Sequence, residues 1–398
     1  MKKTLAAVAV LGAFAGSALA ADVQLYGVVD LGFSYTHVDS DTIADDLDKF
    51  SMDSGNQSGS RWGIKGTEDL GNGLTVGFIL EDGFDADDGS EDSTGVMFNR
   101  ESSLFLQGGF GKIAFGRMGS FNQGQSSWSL IGRITPFGTS FGNYTAQAGN
   151  VFAAGPVADN SIAYQTPDFA GFKLYAMYSM GSNDNENESS SDRYYGIAAT
   201  YDNGPVSLYA AVDSTNYKSA NLAATDQDIL GDPDDSLTVT LGGSWNFEVA
   251  KVYLGAQYFD SVKLSTLGGI ADNNAAMNPW GESTSRLQSR TGTGYSILLG
   301  ADAPVAGGKL MGAVAYIDAE QSDRMEEALD YYDFSRWVVS VGYDYPLSKR
   351  TNVYAVASYM NDDMEMTGVT KDRIETHGGQ SDWNPSAYTF MIGMRHKF

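Results

Sequence analysis

The chain has 398 residues, a formal net charge of −25, 47 glycines, 22 tyrosines and no cysteine. The acidic balance disfavours a nucleic-acid-binding protein, which needs clustered positive charge to meet phosphate, and the absence of cysteine excludes a disulfide framework. A mean hydropathy below zero excludes a bundle of membrane helices, but it is compatible with a β-barrel, whose strands turn only alternate residues toward lipid.

The first twenty residues have the pattern of a secretory signal peptide. Lysines at 2 and 3 precede a mostly apolar run over 4–16, and a small-residue cleavage site follows at 18–20. The apolar run is shorter than the ~18 residues that a membrane-spanning helix needs. We therefore expect residues 1–20 to be cleaved and residues 21–398 to form a single exported domain.

Sixteen later segments alternate apolar and polar residues with the period of two that is typical of half-buried strands. Turn residues separate them. The segments are 23–36, 59–68, 73–82, 96–108, 111–118, 160–167, 171–181, 192–202, 204–215, 236–247, 250–262, 289–303, 309–320, 333–345, 350–361 and 386–398.

The connections between these segments alternate in length. Residues 37–58, 83–95 and 119–159 are long connections, whereas 69–72 and 109–110 are short turns. This alternation predicts an all-β transmembrane antiparallel β-barrel of 16 strands, with long outer loops and short periplasmic turns. A secreted β-sandwich or propeller has no reason to keep the alternation, and no repeat of fixed period is present.

Strand parity predicts which face meets lipid. In segment 333–345, Trp337 and Val339 lie on one face, and Arg336 and Ser340 lie on the other. The apolar face should contact lipid and the polar face should line a water-filled lumen. Most acidic residues, and few basic ones, fall in the long connections, so the negative charge is expected on the outer side.

The last segment alternates in the same way. Tyr388, Phe390 and Phe398 share one face, and Arg395 and Lys397 share the other. We expect this segment to pair with 23–36, which would close the barrel and leave no unpaired sheet edge. Phe398 would then lie at the periplasmic rim on the lipid-facing parity.

An ordered set of motifs resembles those of the trimeric Gram-negative general porins. The resemblance spans the chain after residue 20 and is densest in 23–118. Its motifs are LYGVVD at 25–30, SRWGIKGTEDLGNGL at 60–74, FNR at 98–100, GFG at 109–111, FGR at 115–117, NSIAYQTP at 160–167, FAGF at 169–172 and GMRHKF at 393–398.

This resemblance implies a homotrimer of sixteen-stranded barrels in the outer membrane, in contact with its lipid and lipopolysaccharide. It implies that residues 118–160 form a third loop that folds inward and narrows the pore, where arginines face loop carboxylates. It also implies that Phe398 is a recognition signal for the barrel insertion machinery.

The resemblance assigns Arg61, Arg100 and Arg117 to the basic side of the pore constriction. Lys65 shares the inner parity of Arg61, and Asp30 would supply a nearby carboxylate on the first strand. Arg117 has the parity of apolar neighbours, so it reaches the lumen only if a β-bulge or strand end precedes it. The alternative is that these are ordinary wall arginines paired with nearby acids.

The predicted third loop departs from the family, because it contains only one base and one acid, Arg133 and Asp159. We expect Arg133 to belong to the pore constriction as well. The constriction could therefore be locally basic and favour anions, or the acidic outer loops could dominate and favour cations. The loop is instead rich in aromatic residues, which could form a sugar-binding slide or pack against the wall: Phe121, Trp128, Phe137 and Phe141.

No motif supports a metal site, a cofactor or an enzyme. The acids over 82–92 and 183–188 lack EF-hand spacing, so solvated loops are favoured over a dedicated Ca²⁺ site, with shared bridging of divalent cations to lipopolysaccharide as the alternative. His37 and His377 are the remaining catalytic candidates, without a catalytic motif around them.

We therefore expect a porin for passive diffusion of ions and small hydrophilic solutes through the outer membrane. The alternatives are a porin selective for oligosaccharides and an outer-membrane adhesin or structural barrel without a channel.

Overall fold

The chain is described by a computed structural model over residues 22–41, 46–181, 192–217, 234–263, 291–322, 331–367 and 382–398. The predicted signal peptide, His377 and the acidic segment 183–188 lie outside these residues. Within the described ranges, no helix has the length and apolar character that crossing a bilayer requires.

The described residues form one antiparallel sheet in which each wall strand pairs with the next one along the chain and the first also pairs with the last. Its strands are β1 (Asp22–Asp39), β2 (Leu47–Ser54), β3 (Arg61–Gly71), β4 (Leu74–Gly83), β5 (Glu101–Gly108), β6 (Gly111–Gly119), β7 (Val157–Gln165), β8 (Phe172–Ser179), β9 (Arg193–Asn203), β10 (Val206–Asn216), β11 (Leu237–Asn246), β12 (Lys251–Lys263), β13 (Thr291–Val305), β14 (Gly308–Gln321), β15 (Tyr331–Pro346), β16 (Thr351–Thr367), β17 (Asp382–Trp383) and β18 (Ser386–Lys397).

These segments make sixteen wall strands, because two of the strands are interrupted. β2 pairs with the second half of β1 and β3 pairs with its first half, so β2 and β3 are two parts of one wall strand separated by residues 55–60. In the same way, β17 continues the line of β18 beside β16. The sixteen-stranded closed barrel predicted from the sequence is confirmed.

Residues 47–54 were expected in a long outer connection, and that expectation is wrong. They form β2, in which Phe50 and Met52 point outward from the barrel and are exposed. The Phe50 ring stacks on Phe33 of β1, with 5.8 Å between ring centroids. Acids and a lysine interleave with these apolar residues, which gives the segment the composition of a loop although its alternation is that of a strand.

The expected strand 96–108 is also too long at its start. β5 begins at Glu101, because Gly95 and Phe98 have positive φ values of 82° and 60° that no extended strand accommodates. The segment before β5 is therefore a turn, and Arg100 lies at the junction between this turn and the wall.

Tight turns join strands at one rim. Asn72 and Gly73 join β3 to β4, and Ala306 and Gly307 join β13 to β14. All four residues have positive φ, between 49° and 84°, which suits the two-residue hairpin turns that match the twist of the flanking strands. The segments at the opposite rim are longer, as in the predicted alternation.

Closure of the barrel uses the last residues described. Lys397 is opposite Val28, and Phe398 exchanges two backbone hydrogen bonds with Gly27, at 3.1 and 3.2 Å. The Phe398 ring lies over Gly27, at the place where a side chain on that residue would be. The predicted pairing of the last strand with the first is confirmed.

The predicted parity of the two faces is confirmed by exposure. Trp337 and Val339 are about half exposed, whereas Arg336 and Ser340 are buried inside the barrel. β8 shows the same pattern, since Phe172 projects outward.

The segment 120–156 between β6 and β7 folds inside the barrel. It contains a 3₁₀ turn at Ile131–Ile134 and a short α-helix at Ala148–Val151. Its apolar side chains form the largest buried cluster together with inner-wall residues. The interior at this level is therefore occupied by the segment rather than by water alone.

Glycines on the inner wall make room for this segment. A Cβ atom on Gly255 would lie 2.9 Å from both Ile134 and Phe152, and one on Gly342 would lie 3.1 Å from the Phe137 ring. Gly300 is covered in the same way by Pro136. The small wall residues thus let the segment lie close against the strands.

Candidate pore constriction

The infolded segment is attached to the wall at its first half by two carboxylates. Glu101 of β5 accepts hydrogen bonds from the Ser127 backbone N–H and hydroxyl, at 2.8 and 2.9 Å. Asp213 of β10 accepts one from the Asn122 amide at 2.6 Å. Both carboxylates are buried, so each is costly to leave without a partner.

Further hydrogen bonds attach the second half to the far wall. The Ala146 N–H donates to Ser340 Oγ at 2.8 Å, and Ser358 Oγ donates to the Tyr144 carbonyl at 2.7 Å. The Ala153 N–H donates to Gln257 Oε1 at 2.7 Å. The segment is therefore fixed to strands around the barrel and leaves its tip, residues 138–143, facing β1 to β5.

A gap remains between this tip and the wall. It is a cavity of about 400 Å³. Arg100, Gly59 and Ser60 line it on the wall side, and Asp85 and Asp92 also line it. The tip contributes neutral residues only: Thr139, Ser140, Gly142 and Asn143. We call this cavity the constriction gap.

Two of the predicted arginines share one carboxylate on the wall. Arg100 Nε donates to Glu81 Oε1 at 2.8 Å, and Arg61 Nε lies 3.5 Å from Glu81 Oε2. Tyr26 Oη donates to the same Oε2 atom at 3.0 Å. Since one acid faces two bases, this cluster has a net positive charge.

Arg100 also contacts the infolded segment, because its Nη2 donates to the Gln125 carbonyl at 3.2 Å. Its side chain is 9% exposed and that of Arg61 is 24% exposed. Arg61 is held by the Gly59 carbonyl, which accepts from Nη1 at 2.8 Å. Both guanidinium groups are therefore held in place by several contacts.

Arg117 is close to this cluster but has its own partners. The register of β6 shifts between Gly116 and Met118, which is the irregularity that its parity required. Its guanidinium pairs with Asp159 and donates to the Asn99 carbonyl at 3.0 Å. A one-to-one pair adds no net charge to the lumen.

Asp30 organises the interruption between β2 and β3. It is fully buried, and its Oδ2 accepts from the Gln57 and Ser58 backbone N–H groups at 2.9 and 2.7 Å. Its Oδ1 accepts from Tyr354 Oη at 2.6 Å. Asp30 thus holds residues 55–60 inside the lumen, and glycines at both ends of this segment line the constriction gap.

The structure separates the last two predicted residues. Lys65 lies on the inner face of β3, with its Nζ 4.8 Å from the Tyr26 ring centroid. Arg133 instead pairs with Asp202 at 2.8 Å, at the tight-turn rim. The infolded segment is long enough to carry Arg133 away from its tip, so it is not brought together with the arginines that share Glu81.

Sequence reasoning missed Glu81, Glu101 and residues 55–60. Glu81 has the inner parity of its strand, and that parity was the available signal. Parity gives the face of a strand but not the distance between residues on different strands. The sequence alone therefore could not predict that Arg61 and Arg100 share Glu81.

The loop aromatics are packed against the wall. Phe121, Phe137 and Phe141 have exposed fractions of 0%, 1% and 5%. Phe137 and Phe141 meet edge to face at 5.5 Å, and Phe141 meets Tyr354 at 6.0 Å. Rings buried in this way offer no face on which a sugar could stack.

The outer side of the gap is acidic. Asp85 follows β4, outside the wall, where burial and then the nearby Asp92, Asp87 and Asp88 carboxylates raise the pKa of its carboxyl. The described residues contain no group of three or more acids and histidines placed to hold a metal ion. The His37 ring lies 3.0 Å from the Asp48 carboxylate, and no catalytic nucleophile contacts it within the described part of the chain.

A closed β-barrel with an infolded segment and a charged aqueous gap defines a membrane channel. The comparison with protein families gives the same class, since the Gram-negative porin model matches residues 6–364. The chain belongs to the Gram-negative porin family. It is an outer-membrane porin, a β-barrel channel for passive diffusion of solutes, and the family and its fold are non-enzymatic.

Individual relatives cover nearly the whole chain. One outer membrane porin protein of Bordetella pertussis is 34% identical, and the match covers 90% of this chain and 94% of the relative. The outer membrane porin protein 32 of Delftia acidovorans is 32% identical, with 100% of both chains covered. Among solved structures, the anion-selective porin from Comamonas acidovorans is 26% identical and has a TM-score of 0.63, with 95% of this chain and 100% of that chain covered.

Proposed function

We propose that this channel prefers small anions, and that Arg61 and Arg100 set the preference. The observation that supports it is that two arginines share Glu81 opposite a loop tip without charge. An anion that passes the gap meets the net positive charge of the cluster of Arg61, Arg100 and Glu81 and no carboxylate on the tip, whereas the acids that line the gap, Asp85 and Asp92, lie toward its outer side. Because the gap is narrow and bounded by protein, such fixed charges act strongly on passing ions.

The other predicted residues have supporting roles in this proposal. Lys65 and Arg117 lie on the inner face near the two arginines, and Asp30 shapes the gap by holding residues 55–60. Arg133 contributes little, because its partner Asp202 neutralises it away from the gap. Polar solutes cross without covalent chemistry, and the neutral tip offers hydroxyl and amide groups to them.

The reversal potential in a KCl gradient tests the preference. Planar-bilayer recordings of the purified protein should give a Cl⁻ to K⁺ permeability ratio above one. The pair Arg61→Gln and Arg100→Gln should lower this ratio at least about twofold, since it leaves Glu81 unopposed. The control pair Lys173→Gln and Lys251→Gln also removes two charges, far from the gap.

A cation-selective wild-type channel would overturn the proposal. An unchanged ratio in the arginine variant would keep the anion preference but reject these two residues as its source.

We also propose the assembly expected from the family. Residues 1–20 are removed, residues 21–398 form one barrel, and residues 118–160 are its constricting third loop. The barrels form a homotrimer beside lipopolysaccharide, and Phe398 is read by the insertion machinery. The outward position of the Phe398 ring over Gly27 supports the last point, because an outward ring is accessible before closure.

A further inference from the structure

A second charged cavity lies on the inner wall at the tight-turn rim. It has a volume of about 390 Å³ and lies between the turns after β13 and β15 and the end of β18. Five basic residues line it: Lys309, Lys349, Arg350, Arg395 and Lys397. The whole chain has 25 lysines and arginines and a net charge of −25, so this concentration of bases is unusual. We call it the rim pocket.

One carboxylate, that of Asp344, lines the rim pocket, and both of its oxygens already accept hydrogen bonds from side-chain amides. Asp344 Oδ2 accepts from the Gln57 side chain at 2.7 Å, and Oδ1 accepts from Asn352 at 2.8 Å. Asn352 in turn accepts from Arg395 Nε at 3.1 Å. Hydrogen bonds to neutral amides therefore place Arg395 and leave the excess positive charge of the pocket in place.

Two other bases at this rim are paired with acids. Arg133 pairs with Asp202, and Lys173 lies 3.5 Å from Asp168. In the described part of the chain, by contrast, none of the five bases of the rim pocket lies within 4.0 Å of a carboxylate oxygen. Like charges held together destabilise the fold, so a counter-charge from solution would relieve their repulsion.

The rim pocket is adjacent to the proposed constriction. Val28 of β1 is paired with Arg61 on one side and with Lys397 on the other. Asp30, two residues further on, is paired with Arg395. The bases of the constriction and those of the rim pocket thus occupy neighbouring strands, with β1 between them.

We propose that the rim pocket binds a small polyvalent anion that carries carboxylate or phosphate groups. Five bases around one satisfied carboxylate favour a ligand with at least two negative charges over chloride, because attraction grows with ligand charge. The volume suits a small metabolite-sized molecule. That the pocket lies on the path of transported anions rests on the proposed function, whereas the binding itself does not.

Calorimetric titration tests the binding with citrate and inorganic phosphate as separate probes. The full chain, folded in detergent, should bind citrate saturably at about 0.1 M salt. The double variant Lys349→Gln with Arg350→Gln should weaken citrate binding about tenfold, because it removes two of the positive charges that attract the ligand. The matched control, Lys173→Gln with Lys251→Gln, should bind as the wild type does. At about 1 M KCl the binding should be lost, because screening shortens to ~3 Å.

Phosphate that binds as tightly as citrate would assign the pocket to phosphate-bearing ligands as well as to carboxylates. If the wild type does not bind citrate, or if both double variants weaken citrate binding equally, the proposal that the rim pocket binds a polyvalent anion is wrong. The reversal potential of the same samples separates this outcome from the proposed function. The wild-type channel could prove cation-selective while the Lys349→Gln, Arg350→Gln variant still loses citrate binding. That result would reject the anion preference and retain the anion-binding role of the rim pocket.

Discussion

Glu81 is the residue on which the charge of the constriction depends. Its two oxygens contact Arg100, which precedes β5, Arg61 of β3 and Tyr26 of β1. A carboxylate shared in this way restrains both guanidinium groups and cancels about half of their charge. Glu81 therefore sets both the shape and the strength of the basic wall.

Glu81→Gln should increase the anion preference. The substitution removes one negative charge and keeps an oxygen that can accept from one arginine. We expect the Cl⁻ to K⁺ permeability ratio to rise about twofold, measured as the reversal potential in a KCl gradient. Glu248→Gln, which removes a charge in a turn, serves as the control. A lower ratio in Glu81→Gln would show that restraint of the arginines matters more than net charge.

At the scale of elements, the position of the infolded segment depends on wall positions that have no side chain. Gly255, Gly300 and Gly342 lie where the segment crosses β12, β13 and β15, and each lacks the side chain that would occupy its place. The position of the segment is thus encoded partly in strands that are distant in sequence.

Gly342→Val should displace the segment at Phe137. A branched side chain there meets the ring at a distance that leaves no room, and overpacking of this kind typically costs about 1–3 kcal/mol. We expect a lower melting temperature and a larger single-channel conductance. Gly312→Val is the control, because the nearest atom to its added Cβ is 3.8 Å away. Equal conductance in both variants would contradict the role assigned to the wall glycine.

The sequence predicted the regular elements better than the irregular ones. Period-two alternation identifies wall strands because lipid and water lie on opposite faces of each strand. β2 was missed because acids interleave with Phe50 and Met52. The inward segment 55–60 was missed because its shape depends on hydrogen bonds to Asp30, which also binds Tyr354, and these residues are far apart in sequence.

At the scale of the whole molecule, the two ends of the barrel differ in charge. Acids gather near the outer edge of the constriction gap, as at Asp85 and Asp92, and bases gather in the rim pocket. An ion crossing the channel therefore passes from a negative region to a positive one. The ion selectivity of the channel therefore depends on the charge of both regions, and low pH reduces the negative charge of the outer one.

Lowering the pH from about 7 to about 5 should shift selectivity further toward anions. The pKa of Asp85 is raised by burial and by its acidic neighbours, so this carboxyl gains its proton before ordinary aspartates do and the outer negative charge falls. Reversal potentials across this pH range measure the shift. Asp85→Asn should reduce the change over the same range, and an identical change in that variant would exclude Asp85 as a contributor.

The contact between Gly27 and Phe398 has a consequence for how the barrel is made. Neighbouring strands elsewhere join through short or moderate connections, but this pair brings together residues separated by nearly the whole chain. Pairings of such long range form slowly, because chain entropy must be lost before they contribute stability. Until β1 meets β18, both strands expose unpaired edges that can pair with other chains. Closure at this seam is therefore expected to be the slow step of folding, and the interval before it is when the protein is most prone to aggregation.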